Sequence, residues 1–429
     1  MKKKSLSIIL LCSLGLGLLA GCVNNTNTQT DNDSAVVEDT TGVSSSAQTS
    51  IDRDSAATVP VSSDQESPED TFDESDENVE YTAASNDINL SDYETNSAVN
   101  ITAAGEYVLS GTLSDGQVII EVGDDEEVQL FLNNVEITNN SGSAILVKNA
   151  EKVVITLIDG TKNSIADGTN YTDLDESGEP DAAIFSHDDL TINGSGSLTV
   201  YANYLDGIEC RDDLKITGGN ITITAAANGL FGNNSFEMET AELVITSGGD
   251  SIHSDGDIII ESGTLTLNSG DDGIHADGMI TIYDGTIDIS QSYEGIEATD
   301  VIINGGMIDI FASDDGINGA GGNDNSGNVG NNPLDNFSGS QCTITINGGM
   351  ITITAGTSGN GDGLDANGTI TITGGDMVIV QPSSYRDYSN IDYNTSFSLT
   401  GGSVQILETN GTYTEVTDSN VSNNNKGHR

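Results

Sequence analysis

From about residue 100 to about residue 400, apolar and polar positions alternate in short runs separated by corners rich in Gly, Asn and Asp. Ile280-Thr281-Ile282 and Ile287-Asp288-Ile289 are typical, with a β-branched residue at every second position and a Gly-containing turn between them. That period of two belongs to strands with one buried face, and no segment carries the period of an amphipathic helix. A longer repeat lies over the short one. Asp206-Gly207-Ile208, Asn228-Gly229-Leu230, Asp250-Ser251-Ile252, Asp272-Gly273-Ile274 and Glu294-Gly295-Ile296 follow at intervals of 22 residues, and Asp315-Gly316-Ile317 comes 21 later. Asp362-Gly363-Leu364 resumes the series after a Gly- and Asn-rich insertion at 320–341.

A fixed period built of strands and turns signals a solenoid. Coiling each repeat once lets every short strand pair in parallel with the coils above and below, which removes open edges. Leucine-rich repeats share the period, but their Leu and Asn spacing and their helices are absent. The expected fold is all-β: a right-handed parallel β-helix of about 22 residues per coil and about ten to twelve coils. The hand follows the rule for parallel crossovers. Ile, Val, Leu and Ala fill the interior, and Cys210 and Cys342 fall at inward phases several coils apart, too far for a disulfide.

The N-terminal part reads differently. Lys2, Lys3 and Lys4 precede an apolar run at 6–19, then Leu19-Ala20-Gly21-Cys22. The run is too short for a membrane span and ends in small residues, so 1–21 is expected to be a signal peptide, removed together with Cys12. The tetrapeptide resembles the lipobox of bacterial lipoproteins, which implies lipidation of Cys22 and anchoring outside the cytoplasmic membrane. Residues 22–85 are Ser, Thr, Asp, Asn, Gln and Glu with Arg53 the only cation, a composition expected to form a disordered acidic tether. A coil of that length spans roughly 45 Å, enough to reach into or through a cell wall. The β-helix is placed at 86–410 and a disordered tail at 411–429.

Charge narrows the function. The 429 residues hold 68 Asp plus Glu against 12 Lys plus Arg, a net charge of −56. Nucleic acid is excluded as a partner, because phosphate binding needs clustered cations. Stacking turns the repeat into vertical rows, and one row holds Asp206, Asn228, Asp250, Asp272, Glu294, Asp315 and Asp362, with Asp271 and Asp314 immediately before it. The adjacent outward row holds Glu209, Phe231, His253, His275, Glu297, Asn318 and Asp365. An Asp before Gly is also ordinary turn chemistry, its side chain capping backbone N–H groups. Yet carboxylates about 5 Å apart at an effective dielectric near 20 repel by roughly 3 kcal/mol, so a ladder of them protonates in part or binds cations.

No Lys or Arg occurs between Lys215 and Arg386 to neutralise this face. Hard oxygen ligands in excess point to Ca²⁺, in several ions, with Asp206, Asp250, Asp271, Asp272, Asp314, Asp315 and Asp362 as candidate ligands. Asp173, Asp175, Ser177 and Asp181 have the spacing of the first part of a calcium loop around Gly178, but Ile184 stands where the closing Glu belongs. His253 and His275 lie on neighbouring coils. With the carboxylates they could hold a transition metal, although outward histidines on strands are more often simply solvated.

Several segments, DAAIFSHDDLTINGSGSLTV at 181–200, DDGINGAGGNDNSG at 314–327, GDGLDANGTITITGG at 361–375 and IDYNTSFSLTGG at 391–402, resemble one family over roughly residues 85–410. It is that of the bacterial carbohydrate-binding β-helix proteins that bind polygalacturonate and related acidic polysaccharides, calcium-containing folds similar to pectate lyases. The resemblance implies binding of acidic polysaccharide; the chain is expected to be a monomer that touches the membrane only through the lipid anchor on Cys22. By resemblance Asp272, Asp315 and Asp362 belong to the calcium and sugar-binding face, and the row as a whole makes Asp272, His275, Glu294, Glu297, Asp315, Asp362 and Asp365 the expected carbohydrate-binding residues. A lyase is the alternative, but it needs a Lys or Arg base, and only Arg211 and Lys215 stand near the row. A hydrolase needs only a carboxylate pair, and a calcium-stabilised adhesin needs neither.

Overall fold

The computed structural model of the chain describes residue 76 and residues 86–172, 174, 178–320, 342–385 and 388–421, all inside the unit Glu66–Arg429. The expected signal peptide, Cys22, the tether apart from Asp76, Asp173, Asp175, Ser177 and nearly all of the 320–341 insertion lie outside the described residues.

The expected solenoid is there. Among the described residues the only helical element is a 3₁₀ turn at Leu90–Asp92, and the remainder is strands and turns wound into about 13 turns of about 24 residues. Three ladders of parallel strands run the length of the stack. The first passes through Leu130, Ile155, Ile192, Ile216, Met238 and Ile260. The second passes through Ile184, Ile208, Leu230, Ile252, Ile274, Ile296, Ile317, Leu364 and Ile391. The third includes Ile137, Ile165, Val200, Ile223 and Ile245. These residues are 0–5% exposed and form one continuous core.

The average coil exceeds 22 residues because two steps of the first ladder carry extra chain: Ile155 pairs with Ile192, and Ile303 with Ile346. The expected boundary at 410 is corrected. Tyr413–Glu415 pairs antiparallel with Ser403–Leu407, and Val416 is 6% exposed in the core. Antiparallel pairing covers an edge that another coil would otherwise occupy. Leu90, 0% exposed, packs into the core from the 3₁₀ turn beside the first strands. Cys210 and Cys342 are both buried and not disulfide-bonded, as expected.

Glycine in the Asp-Gly-Ile units answers to the spacing of the coils. A Cβ on Gly295 would lie 2.3 Å from the Gly316 carbonyl oxygen and 2.4 Å from the Ile310 Cγ2. Gly295→Ala is therefore expected to destabilise the stack by about 1–3 kcal/mol, the usual cost of overpacking, measured as a lower melting temperature. An unchanged melting temperature would show that the coils can separate locally without loss.

Candidate functional site

The Asp-Gly-Ile units open the strands of the second ladder, and their acidic residues fall in one row. Every Asp and Asn side chain in that row accepts a hydrogen bond from the main chain of the same position one coil further on. Asp206 Oδ1 accepts from Asn228 N at 2.6 Å, Asn228 Oδ1 from Asp250 N at 2.9 Å, Asp250 Oδ1 from Asp272 N at 2.8 Å, and Asp272 Oδ1 from Glu294 N at 3.0 Å. Asp315 and Asp362 continue it by short hydrogen bonds from Asp362 N and Ser389 N. The turn role and the row are thus the same structure. Capping satisfies corner N–H groups and uses one oxygen of each carboxylate, leaving the second for other partners.

Stacking buries the row. Asp206, Asp250, Asp272, Glu294, Asp315 and Asp362 are only 1–8% exposed, whereas Asp271 and Asp314 are half-buried. Burial lifts the Asp206 carboxyl to about 7, with the Asn228 hydrogen bond working against it and the Asp181 charge adding to the rise. Asp315 is pushed well above the usual carboxylate range, first by burial and then by Asp365, Asp314 and Asp362. Glu209, in the adjacent outward row, is also raised, by burial and by a hydrogen-bonded contact with Asp181. Asp181, expected in a calcium loop, therefore belongs with Asp206 and Glu209.

The histidines are not simply solvated. His253 Nδ1 is 2.7 Å from Asp250 Oδ2, and its Nε2 is 3.3 Å from Asp255 Oδ1. His275 Nδ1 is 3.1 Å from both Asp272 Oδ2 and Glu297 Oε2, and its Nε2 is 3.5 Å from Asp277. Burial opposes their charge, but these carboxylates outweigh it, raising His253 to about 9 and His275 further. Both shifts favour imidazolium at His253 and His275, in the middle of a face that has no Lys or Arg beyond Arg211 among the described residues. Their rings stack at 4.9 Å, and Phe231 closes the ring column at 4.8 Å from His253. Glu294 Oε2 accepts from Asn318 Nδ2 at 2.8 Å, so Glu294, Glu297 and Asp272 lie beneath the surface rather than on it.

Three groups on this ladder bring ligand atoms within 4.8 Å of one another: Asp250 with Asp271 and Asp272, Asp272 with His275 and Glu297, and Asp362 with Asp365 and Asp392. Calcium binds oxygens at about 2.3–2.6 Å, so oxygens on opposite sides of one ion are about 4.8 Å apart. The two all-carboxylate groups fit that ion. In the group containing His275 the imidazole already contacts both carboxylates at 3.1 Å.

Three residues beyond the insertion, Asp392, Tyr388 and Tyr385, escaped the sequence pattern, as did Tyr293 before it. Asp392 is in register with Asp365, but its coil carries Ser389-Asn390-Ile391 in place of Asp-Gly-Ile. The Tyr293 hydroxyl hydrogen-bonds Asp314, and burial followed by that charge raises its pKa. The Tyr388 hydroxyl donates to Asn390 Oδ1 at 3.1 Å, and Tyr385, its ring 5.6 Å away, is 51% exposed. A further trio, Asp189, Asp212 and Asp213, lies off this row at the start of first-ladder strands.

Neither basic candidate stands ready beside the row. Arg211 bridges Glu179 at 2.8 Å and Glu209 at 3.2 Å. Lys215 belongs to the first ladder, where it meets Asp76 and Glu237, both at 3.6 Å.

With this geometry in view, the family model for carbohydrate-binding domain-containing proteins matches residues 95–331, more than half of the chain. The chain belongs to that family. A carbohydrate-binding domain-containing protein of Acetivibrio thermocellus is 48% identical to it over 128 residues. That match covers 30% of this chain and 45% of the relative, so it spans less than half of the relative's length. Among solved structures, the polysaccharide lyase-like protein from C. thermocellum, a gadolinium derivative, is 27% identical, with 72% of this chain and 92% of that chain covered and a TM-score of 0.36.

The raised His253 gives a pH dependence with a definite sign. Its folded pKa of about 9 lies above the ordinary 6.5, so its stabilising contribution is full below about pH 6.5 and is lost as pH rises through 9. Thermal melts in chelator should show a lower melting temperature at pH 10 than at pH 7, and His253→Gln should reduce that difference. An identical slope in the variant would remove the imidazolium from the stabilisation of the row.

Proposed function

We propose that the protein binds acidic polysaccharide, of the polygalacturonate or pectin type, through calcium ions held on the carboxylate row. The observation that carries this reading is the Asp362, Asp365 and Asp392 group: three carboxylates share one small volume, and among the described residues no Lys or Arg follows Lys215. Calcium there offsets the repulsion and leaves coordination positions for a uronate carboxylate, so that an acidic face captures an acidic polymer. Asp365 and Asp392 are half-buried and reach the surface, and the exposed Tyr385 offers a ring for a sugar face in a chain without Trp. Asp250, Asp271 and Asp272 form the second calcium position in this reading, while Asp272, His275, Glu294 and Glu297 support it from beneath.

Binding is favoured over catalysis because uronate elimination needs a basic side chain at the proton next to the carboxylate, and Arg211 is held by Glu179 and Glu209. Cys22 is proposed as the lipidated residue, with the solenoid carried outside the cytoplasmic membrane at the cell surface, as a monomer. No described helix is long and apolar enough to cross a membrane.

Electrophoresis through gels containing polygalacturonate tests the reading. Retardation is expected with calcium, not with chelator, and not in a neutral glucan gel. Asp362→Asn combined with Asp365→Asn should weaken that retardation about tenfold or more, the scale of losing charged ligands from one ion. In chelator the same variant should melt no lower than the parent, because it removes repulsion. Equal retardation of parent and variant would take this group out of the binding site.

A further inference from the structure

On the first ladder, away from the carboxylate row, two of the chain's few cations converge on one carboxylate. Lys152 Nζ is 2.5 Å from Asp76 Oδ1 and Lys215 Nζ is 3.6 Å from Asp76 Oδ2. The Thr191 hydroxyl donates to Asp76 Oδ1 at 2.5 Å, and the Thr217 hydroxyl and Asn193 Nδ2 donate to the Asp76 carbonyl oxygen at 2.6 and 3.4 Å. Asp76, Asn193, Thr191 and Thr217 are 0–1% exposed, and Lys152 is 7% exposed. Asp76 arrives from more than a hundred residues away in sequence; the rest of the site is built by adjacent coils.

The stack itself does not require a lysine in the row of Lys215; Lys152 lies in a separate row, in register with Asp189. Beyond Lys215 and Glu237 the same row continues as Ile259, Thr281, Ile302, Thr345 and Thr371, with no charge. Two buried or half-buried ammonium groups and a hydroxyl aimed at one point are costly to hold without an anion, and they match a carboxylate in charge and in hydrogen bonding. Asp76 is the carboxylate that both lysines share in this structure, and Lys215 also meets Glu237 at 3.6 Å.

We propose that Lys152, Lys215 and Thr191 form a metal-independent site for the carboxylate of a uronate residue, which takes the place of the Asp76 carboxylate. The identity of the ligand rests on the acidic-polysaccharide reading; the site rests on its own contacts. Asp76, tethered to the same chain, competes at a high effective concentration, so a single uronate exchanges poorly. A polymer engages several positions at once and shifts the balance. This gives the protein two modes of holding an acidic chain: calcium on one ladder and ammonium groups on another.

The test is retardation of the full chain in polygalacturonate gels with chelator, for the parent, Asp76→Ala and Asp76→Asn. Both substitutions remove the competitor, and each should increase chelator-resistant retardation about tenfold or more. Adding Lys152→Met and Lys215→Met should abolish the increase. If the alanine variant melts below the assay temperature, the isosteric Asp76→Asn decides. No increase in a folded Asp76→Asn protein, or an increase that survives loss of both lysines, overturns the proposal. Loss of calcium-dependent retardation in the parent would instead overturn the function of the carboxylate row, so the two failures are distinct.

Discussion

Parallel stacking places each outward residue directly above its own repeat. For Ile, Thr and Asn this is favourable, since alike side chains pack or hydrogen-bond along the row. For Asp and Glu it sets like charges at a spacing of about 5 Å, where repulsion in a half-buried setting amounts to roughly 3 kcal/mol per pair. The carboxylate row exists because Asp and Asn are good corner residues, and the corner repeats. Its charge is a consequence, and the protein meets it in different ways along the stack.

At Asp206 and Glu209 the answer is a raised carboxyl pKa and Arg211 at one edge. In the middle, His253 and His275 supply imidazolium between Asp250, Asp272 and Glu297. Next to the insertion the Asp315 carboxyl is pushed well above the usual range, and past it Asp362, Asp365 and Asp392 share one small volume. The first position proposed for calcium is this three-carboxylate group, and the second lies beside the histidines at Asp250, Asp271 and Asp272. Asp76 on Lys152 and Lys215 is the mirror case, a carboxylate brought in where two lysines from different rows converge.

Much of this was legible in the sequence because a solenoid writes its third dimension into its period. Asp206, Asp250, Asp272, Asp315 and Asp362 stand at fixed intervals, and their row follows from counting. Asp392 escaped because its coil lost the Asp-Gly pair, although the strand that carries it stays in register. The part played by His253 and His275 escaped because outward phase is not exposure: neighbouring coils bury what one coil presents. The strand at Tyr413–Glu415 carries no repeat, since an antiparallel strand at the end of a stack has no equivalent in the coils before it. Nothing local marks Asp76, whose partners come from three coils far along the chain.

The most direct measurement is anomalous diffraction from crystals grown with calcium. A peak is expected among the oxygens of Asp362, Asp365 and Asp392, and a second at Asp250, Asp271 and Asp272, with none replacing the His275 contacts to Asp272 and Glu297. Carboxylates without a peak at millimolar calcium would mean that the row resolves its repulsion by shared protons alone, which contradicts calcium as the link to an acidic polymer.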